Sequence, residues 1–239
     1  MARALFLSDA HLGAEPAGAL PGREALLERY LLSWRGRLDR LYVLGDLFEF
    51  WTEYGDVVPR CGSGVVAAMA LLVREGTEVH LFAGNHDSDV GRHFESLGIV
   101  VHPDGFETVE QGKRLFLHHG DGLAGNCPGY RALKAFLRNP VWKAVWRLVH
   151  PDLGMKAARV VGGISRALGR PVSEPAPEYL AAADALLAAG KYDAVVHGHT
   201  HLAFVMERGR GTYVNSGEWI FHPRAVLMED GEFRVAEPD

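Results

Sequence analysis

The sequence has few cysteines and no long hydrophobic run, and each absence excludes a class of protein. Its 239 residues include two cysteines, Cys61 and Cys127, which are too few for the disulfide framework of a small secreted domain. No stretch approaches the roughly 18 uninterrupted apolar residues of a transmembrane helix. The apolar run before Asp9 is too short for the core of a signal peptide. We therefore expect a cytoplasmic protein that does not span a membrane.

The composition is that of a folded protein, but its charge is unevenly distributed. The chain is 48% hydrophobic and 23% charged, with a formal net charge of −5, and it is long enough for one α/β domain. Residues 130–170 carry nine Lys or Arg and one acid, Asp152, so this segment is +8 and the remainder −13. An acidic chain of this kind does not favour nucleic acid as a partner.

Short apolar runs that end abruptly in polar residues recur along the chain. Five of them are typical of strands buried on both faces. They span 3–9, 41–46, 79–85, 114–119 and 194–199. Amphipathic helical patterns at 23–35, 64–75 and 178–190 lie between them, and this alternation predicts an α/β fold. Four short strands at 204–207, 212–215, 225–228 and 232–235 are predicted to be antiparallel.

Residues 122–175 interrupt this alternation, and we interpret them as a helical cap inserted into a single domain of residues 1–239. Helices are expected at about 129–138, 140–149 and 153–168, because Asn139-Pro140 and His150-Pro151 break the pattern. In the second helix, one apolar face carries Val141, Trp142, Val145, Trp146 and Val149, with Lys143 and Arg147 nearby. Such a helix suits an anionic membrane surface, or a pocket for acyl chains and a diphosphate. Packing of its Trp face on the core is the third interpretation.

The polar residues that end the apolar runs are of few kinds. They are Asp9, His11, Asp46, Asn85, His119, His199 and His201. Carboxylate, amide and imidazole groups are ligands for divalent metals of borderline hardness, and ligands bind at the carboxyl ends of strands in open α/β sheets. With one bridging carboxylate, seven such residues supply the about eight donor positions that a two-metal site needs when each ion keeps a water.

The spacing of these residues supports a shared site. Asp9-x-His11 and His199-x-His201 are i, i+2 pairs, which point to the same side on extended backbone. Gly45, Gly84, Gly120 and Gly198 stand beside ligands and allow the chain to turn closely around a metal or phosphate. Each motif alone has a structural explanation, since Asn and Asp favour turns. Their joint occurrence at successive strand ends predicts a two-metal centre.

The order Asp9-x-His11, Gly45-Asp46, Gly84-Asn85-His86-Asp87, His119-Gly120 and Gly198-His199-x-His201 resembles the calcineurin-like metallophosphoesterases over residues 9–201. The resemblance implies a sandwich of two mixed β-sheets flanked by helices and two metal ions about 3.5–4 Å apart. It implies that one ion is bound by Asp9, His11, Asp46 and His201, and the other by Asp46, Asn85, His119 and His199. His86 would assist the phosphate or the leaving group, and Asp87 would orient His86.

Such a pair of cations activates water near neutral pH and stabilises charge on phosphoryl oxygens, so the resemblance predicts a phosphoester hydrolase. Two further segments, 129–133 after His119-Gly120-Asp121-Gly122 and 215–219, resemble the UDP-2,3-diacylglucosamine hydrolases of lipid A synthesis. Those enzymes cleave the diphosphate of a UDP-linked diacyl sugar to UMP and a lipid monophosphate. Their usual metal is manganese, with Fe, Zn, Co and Mg as alternatives.

The same resemblance implies a set of substrate contacts, and the basic cap indicates a cytoplasmic location with peripheral attachment to the cytoplasmic face of the inner membrane. The contacts would be Asn85, His86, Tyr130, Arg131, Ser165 and His199. The chain departs from the best-known members, because His86 replaces an arginine and Cys127 lies near the position of an acid. The alternative is another metal-dependent phosphoesterase, acting on nucleotides, nucleic acid or other phosphodiesters. A scaffold that has lost catalysis is disfavoured because no ligand is missing.

Overall fold

The computed structural model describes residues 2–124, 135, 139–168 and 174–238. Its strands are β1 (Arg3–Leu7), β2 (Arg40–Val43), β3 (Glu78–Phe82), β4 (Val100–His102), β5 (Phe106–Glu110), β6 (Lys113–Leu117), β7 (Ala194–His197), β8 (Phe204–Arg208), β9 (Gly211–Asn215), β10 (Ala225–Glu229) and β11 (Glu232–Ala236). Its helices are α1 (Arg23–Ser33), α2 (Ser63–Arg74), α3 (Arg92–Ser96), α4 (Pro140–Trp146), α5 (Pro151–Leu168) and α6 (Pro177–Ala188).

Three of these elements were absent from the sequence prediction, and each has a physical reason. Helix α3 has five residues and strand β4 has three, which is too short for a periodic pattern. Strand β5 alternates partly buried and exposed residues over most of its length instead of forming an apolar run. The predicted helices at 23–35, 64–75 and 178–190 correspond to α1, α2 and α6.

The strands form two mixed β-sheets, which confirms the predicted fold class. The first sheet has the order β11-β10-β1-β2-β3-β4, and β1 to β4 run parallel. The second has the order β5-β6-β7-β9-β8, in which β6, β7 and β9 are parallel. The pairs β8–β9 and β10–β11 are antiparallel as predicted. The two pairs belong to different sheets, however, and β9 also pairs in parallel with β7.

The core lies in two layers because the central strands are covered on both faces. Phe6 of β1 and Leu117 of β6 lie in the cluster between the sheets. The alternate side chains of β1, Leu5 and Leu7, belong to the cluster formed with helices α1 and α2. Helix α6 packs on the other side of the second sheet. Strands with two covered faces need apolar residues at successive positions, which explains the continuous runs in the sequence.

Helices α4 and α5, which we call the cap helices, lie between β6 and α6 in the chain. Helix α4 begins with a proline in its first turn, and the Asn139 side chain accepts a hydrogen bond from the backbone N–H of Val141 at 2.8 Å. It ends at Trp146, three residues before the predicted end at residue 149. The helix predicted over 129–138 lies outside the described residues, apart from residue 135.

The apolar face predicted for α4 is divided in the structure. The ring of Trp146 contacts Phe50 edge-on, with ring centroids 5.8 Å apart. In contrast, Val141 is 70% exposed, Val145 48% and Leu148 86%. The tryptophan therefore packs toward the core, as the third interpretation of this helix proposes, while a ridge of aliphatic side chains faces solvent. Within the ranges that the structure describes, no helix combines the length and hydrophobicity needed to cross a membrane.

Candidate metal centre

The predicted ligands come from loops at the carboxyl ends of five strands. Asp9 follows β1, Asp46 follows β2 and Asn85 follows β3, all in the first sheet. His119 follows β6 and His199 follows β7 in the second sheet. Both sheets therefore contribute to one site, and a hydrogen bond joins His199 to Asp9 across 190 positions of sequence.

Five of the seven predicted ligands have left-handed backbone. The φ angle is 52° at Asp9, 43° at His11, 50° at Asp46, 67° at His199 and 61° at His201. The prediction that the two i, i+2 pairs use extended backbone was therefore wrong. Each left-handed non-glycine residue costs on the order of 1–3 kcal/mol, and such residues cluster at active sites. A tight turn at each ligand, rather than the pleat of a strand, directs its side chain to the centre.

Each of the two aspartates uses one carboxylate oxygen to hold a loop. Oδ2 of Asp9 accepts hydrogen bonds from the backbone N–H of His199 at 2.7 Å and from the hydroxyl of Ser8 at 2.5 Å. Oδ1 of Asp46 accepts a hydrogen bond from the backbone N–H of His86 at 2.8 Å. These bonds orient both carboxylates and leave Asp9 Oδ1 and Asp46 Oδ2 toward the other ligands.

Asp46 lies between two groups of ligands. Its Oδ2 is 3.4 Å from Nε2 of His119 and 3.7 Å from Nε2 of His11. On the far side of His11, Oδ1 of Asp9 is 3.3 Å from Nε2 of His201. The ligand atoms of Asp9, His11 and His201 lie within 4.8 Å of one another, and so do those of Asp46, His119 and His199. This position of Asp46 suits a carboxylate shared by two neighbouring cations.

Two buried polar atoms that face other predicted ligands have no hydrogen-bond partner among the described residues. They are Oδ1 of Asp9 and Nε2 of His11, whose residues are 0% and 2% exposed. Burying such atoms without a partner is costly, and coordination of a cation would satisfy both. Carboxylate, imidazole and amide donors suit divalent ions of borderline hardness. The residues present therefore fit divalent metal ions.

His119 presents Nε2 to the site because the backbone occupies its other ring nitrogen. Nδ1 lies 2.8 Å from the carbonyl oxygen of Leu44, and Nε2 lies 3.0 Å from Oδ1 of Asn85. Burial opposes protonation of His119, but the Asp46 carboxylate outweighs it and raises the pKa of the imidazole to about 10. A metal ion and a proton therefore compete for Nε2.

Three other titratable groups of the centre, His199, Asp9 and Asp46, are set for metal binding near neutral pH. Burial, reinforced by the neighbouring His119, lowers the pKa of His199 to about 4, so its imidazole is neutral. Burial would raise the pKa of Asp9, but His201 outweighs it and lowers that pKa to about 2. The pKa of Asp46 also lies well below its ordinary value, because His119 outweighs the effect of burial.

Glu49 was not predicted as a site residue, yet its carboxylate supports a predicted ligand. Its Oε2 lies 3.2 Å from Nδ1 of His11, and the residue is 3% exposed. Its backbone carbonyl oxygen lies 3.1 Å from Nδ1 of His86. A carboxylate behind a ligating histidine fixes the tautomer and raises the basicity of the ring. The signal in the sequence was an acid three residues after Asp46 in the same loop.

The structure gives Asp87 a different place from the predicted one. Its carboxylate accepts hydrogen bonds from the backbone N–H groups of Asp46, Phe48 and Gly84 at 3.2, 3.2 and 2.8 Å. It therefore joins the loops after β2 and β3, while the ring of His86 is held by Glu49. His86 also has a ring nitrogen close to the ligand atoms of His11 and Asp46, and the two histidine rings meet edge-on at 4.7 Å.

Arg23 supports the loop that carries His11, and nothing in the sequence pattern pointed to it. This arginine begins α1 and is 5% exposed. Its guanidinium donates hydrogen bonds to the carbonyl oxygens of Ala10 at 2.6 Å, His11 at 3.0 Å and Ala14 at 2.5 Å. Because one planar guanidinium binds three carbonyl oxygens of the same loop, the path of that loop is fixed.

Three predicted substrate contacts have no described side chain. Tyr130 and Arg131 lie outside the described residues. Ser165 lies in α5, but its side chain is outside the described part. The cap cations Lys143 and Arg147 form ion pairs with Asp89 of the core.

The arrangement has the charge pattern of a centre that binds an anionic ester. Two ionised, buried aspartates would hold divalent cations, and bound cations would attract phosphoryl oxygens. His86 lies beside the aspartates with 14% of its side chain exposed. The residues present therefore suit divalent metal ions and an anionic ester beside them.

Comparison with known proteins agrees with this geometry. A model of the calcineurin-like phosphoesterase family matches residues 2–203. A protein of Porphyromonas gingivalis named UDP-2,3-diacylglucosamine hydrolase is 30% identical, over 97% of this chain and 95% of its own length. Proteins of the same name from Chromobacterium violaceum and Pseudomonas putida are 30% and 33% identical, and each match covers 82% of this chain and 81% of the relative.

The fold is similar to that of a solved phosphodiesterase. The structure of an archaeal phosphodiesterase covers 98% of both chains with a TM-score of 0.51, at 13% sequence identity. At 13% identity this similarity supports the fold alone, whereas the family model and the curated relatives support the activity. This chain is a phosphoester hydrolase, and it belongs to the calcineurin-like phosphoesterase family.

Proposed function

We propose that this enzyme uses two divalent cations to hydrolyse the diphosphate of UDP-2,3-diacylglucosamine, giving UMP and the lipid monophosphate. The observation that carries the proposal is the convergence of the other six predicted ligands around Asp46, whose Oδ2 lies within 3.7 Å of Nε2 atoms in both groups. The choice of substrate is supported by the names of relatives that match most of the chain.

Two sets of residues would hold the metal ions. Asp9, His11, Asp46 and His201 form one set, and Asp46, Asn85, His119 and His199 form the other. Mn²⁺ is the ion we propose, since the donors are oxygen and imidazole nitrogen. When bound, such a pair of cations supplies Lewis-acid activation of water and withdraws charge from the phosphoryl group.

His86 is proposed as the catalytic residue that acts on the leaving group. Its Nδ1 lies against the carbonyl oxygen of Glu49, so Nε2 is the nitrogen that a substrate would meet. Asn85 and His199 are proposed to contact the phosphate from the metal side. Asp87 is proposed to act indirectly, by joining the loops that carry Asp46 and His86.

The cap is proposed to bind the lipid part of the substrate and the membrane surface from which it comes. The ridge of Val141, Val145 and Leu148 supports this role, because a contiguous exposed aliphatic surface on a helix suits acyl chains or lipid. We also propose that the substrate contacts Tyr130, Arg131 and Ser165. The location that follows is the cytoplasmic face of a membrane, with peripheral attachment.

The decisive assay compares substrates. Metal-loaded enzyme is incubated with UDP-2,3-diacylglucosamine and with bis-p-nitrophenyl phosphate, and the release of UMP and nitrophenol is measured. We expect efficient turnover of the UDP sugar and weak turnover of the diester. Turnover of nucleotide or nucleic-acid diesters without the UDP sugar would replace this proposal with the alternative phosphodiesterase. Asp46→Ala removes the shared ligand and should abolish both reactions together with metal binding.

Two variants of the cap test its role. Trp142→Ala with Trp146→Ala should lower turnover of the acylated substrate more than that of the small diester, whereas equal effects would indicate a purely structural role. Val141→Asp with Val145→Asp should lower cosedimentation with vesicles that contain phosphatidylglycerol. Val109→Asp is the matched control, because Val109 is 63% exposed on β5 and lies outside the cap.

A further inference from the structure

Asp89 belongs to the core, and its carboxylate binds two cations of the cap. These are Lys143 of α4 and Arg147, which directly follows that helix. Asp89 lies two residues after Asp87, and 13% of its side chain is exposed. Nζ of Lys143 is 2.9 Å from its Oδ1, and a guanidinium nitrogen of Arg147 is 3.3 Å from its Oδ2. On the core side, Oδ2 accepts a hydrogen bond from the Thr52 hydroxyl at 2.9 Å. One carboxylate thus joins a cap helix to two loops of the core.

The ion pair is part of a larger contact between cap and core. Nζ of Lys143 also donates a hydrogen bond to the carbonyl oxygen of Ser88 at 2.9 Å. The Trp146–Phe50 ring contact lies on the same helix, one turn from Lys143. Burial opposes ionisation of Asp89, but the hydrogen bond and charge of Lys143 outweigh it and lower its pKa. The carboxylate is therefore charged at neutral pH and holds both cations.

Asp89 belongs to the same short loop as groups of the metal centre. His86 and Asp87 precede it, and the backbone N–H of His86 donates to Asp46 while Asp87 joins the adjacent loops. The segment 86–89 therefore contacts the metal centre at one end and the cap at the other. The cap is thus attached to the same short segment that carries His86.

We propose that Asp89 is a positioning residue that holds helix α4 against the loop of His86, and that it thereby favours substrates long enough to reach the cap. A small diester occupies the metal centre alone and does not need the cap. An acylated diphosphate extends beyond the centre and needs the cap at a defined distance. The choice of acylated substrate rests on the proposed function, but the attachment of the cap by Asp89 does not.

The experiment compares three single variants, and the double variant Asp89→Asn with Lys143→Met, by two measurements. Asp89→Asn keeps an acceptor for Thr52 but removes the charge, Asp89→Glu keeps the charge, and Lys143→Met removes a cation. Lys156→Met is the control, because Lys156 is an exposed cation on the other cap helix. Hydrogen exchange of residues 140–146 reports attachment of the cap, and kinetics with the UDP-diacyl sugar and with bis-p-nitrophenyl phosphate report specificity.

We expect Asp89→Asn to accelerate exchange in 140–146 and to raise KM for the acylated substrate roughly three- to ten-fold, the range of a partly buried ion pair. The kinetics of the small diester should change less than about two-fold. Asp89→Glu keeps the charge, so its exchange and its KM for the acylated substrate should stay close to those of the wild type. Lys143→Met should add little to the effect of Asp89→Asn when both are combined. Lys156→Met should change neither measurement.

Two results would overturn the proposal. Unchanged exchange in Asp89→Asn would mean that Asp89 does not hold the cap. An equal loss with both substrates would mean that Asp89 acts on the metal centre itself. Should the wild-type enzyme not hydrolyse the UDP sugar at all, the proposed function fails. The exchange measurement would still decide whether Asp89 holds the cap.

Discussion

The carboxylate of Glu49 lies 3.2 Å from Nδ1 of His11, with both side chains almost completely buried. The contact leaves Nε2 of His11 for the metal centre, where it has no hydrogen-bond partner among the described residues. Glu49 also supports His86 through its backbone carbonyl. One residue thus holds a predicted ligand and the proposed catalytic histidine in the same place.

Glu49→Gln should lower metal affinity, because the amide cannot supply the charge that raises the basicity of His11. We expect a loss of about 10- to 100-fold in affinity for Mn²⁺, the usual effect of removing such a partner. Isothermal titration calorimetry on the metal-free enzyme measures it. Glu107→Gln is the control, because Glu107 is an exposed carboxylate bound to Lys191. Equal affinity in wild type and Glu49→Gln would contradict the role.

Gly84→Ala should inactivate the enzyme, because the new methyl group would collide with the Asp46 carboxylate and its backbone nitrogen. Displacement of a reacting group by about 1 Å can cost 100-fold in rate, so we expect at least that loss in kcat/KM. Gly163→Ala is the control, since a Cβ at that helical position meets no atom of the described residues within 4 Å. It should keep full activity and raise stability by about 0.5–1 kcal/mol. Normal activity in Gly84→Ala would show that the loop tolerates a shift.

Arg23→Lys should destabilise the fold and weaken metal binding together. The three donors of a lysine ammonium lie on one nitrogen, which cannot span the three carbonyl oxygens that two guanidinium nitrogens of Arg23 reach. We therefore expect a loss of roughly 2–4 kcal/mol in the free energy of unfolding. Urea denaturation measures it, with Arg29→Lys as an exposed control on the same helix. A destabilised variant with unchanged Mn²⁺ affinity would limit the role of Arg23 to folding.

The stability of the metal-free protein should depend on pH through His102. Burial and the neighbouring His80 lower the pKa of His102 to about 4, below the ordinary value of about 6.5. Between these values the unfolded chain binds a proton that the folded chain does not, so the free energy of unfolding falls as pH falls from about 6.5 to 4. His102→Gln should make that fall smaller, whereas the exposed His150→Gln should not. Urea unfolding at pH 7 and pH 5 tests both.

Metal removal should lower both activity and thermal stability. Without cations, Asp9 and Asp46 are buried anions close to one another, and a ligand that binds only the folded state at 1,000 times its Kd contributes about 4 kcal/mol. We expect EDTA to stop hydrolysis and lower Tm, and added Mn²⁺ to restore both. A Tm that does not respond to Mn²⁺ would argue against these residues as the metal site.

The kinds of residue at the strand ends were sufficient to predict that these side chains converge, because each strand carries its apolar run and its terminal polar residue in one short stretch. Local sequence therefore indicated most of the strands and helices, the mixed α/β fold and seven side chains of matching chemistry. The left-handed backbone of the ligands could not be predicted from local sequence. Asp9 and His11 lie in tight left-handed turns, and only loops packed against each other hold a non-glycine residue there.

The contacts that complete the site join distant parts of the chain. Arg23 contacts the His11 loop from α1, and Asp89 binds cap cations more than fifty positions later. A lone buried arginine or a lone aspartate has no periodicity and no motif, so its partner follows from how sheets, helices and cap pack. The chemistry of the centre was thus present in local sequence. Packing decided the tautomers of the histidines, the carboxylate oxygens that face the other ligands, and the attachment of the cap. The reason is that hydrogen bonds depend on distances that local sequence does not contain.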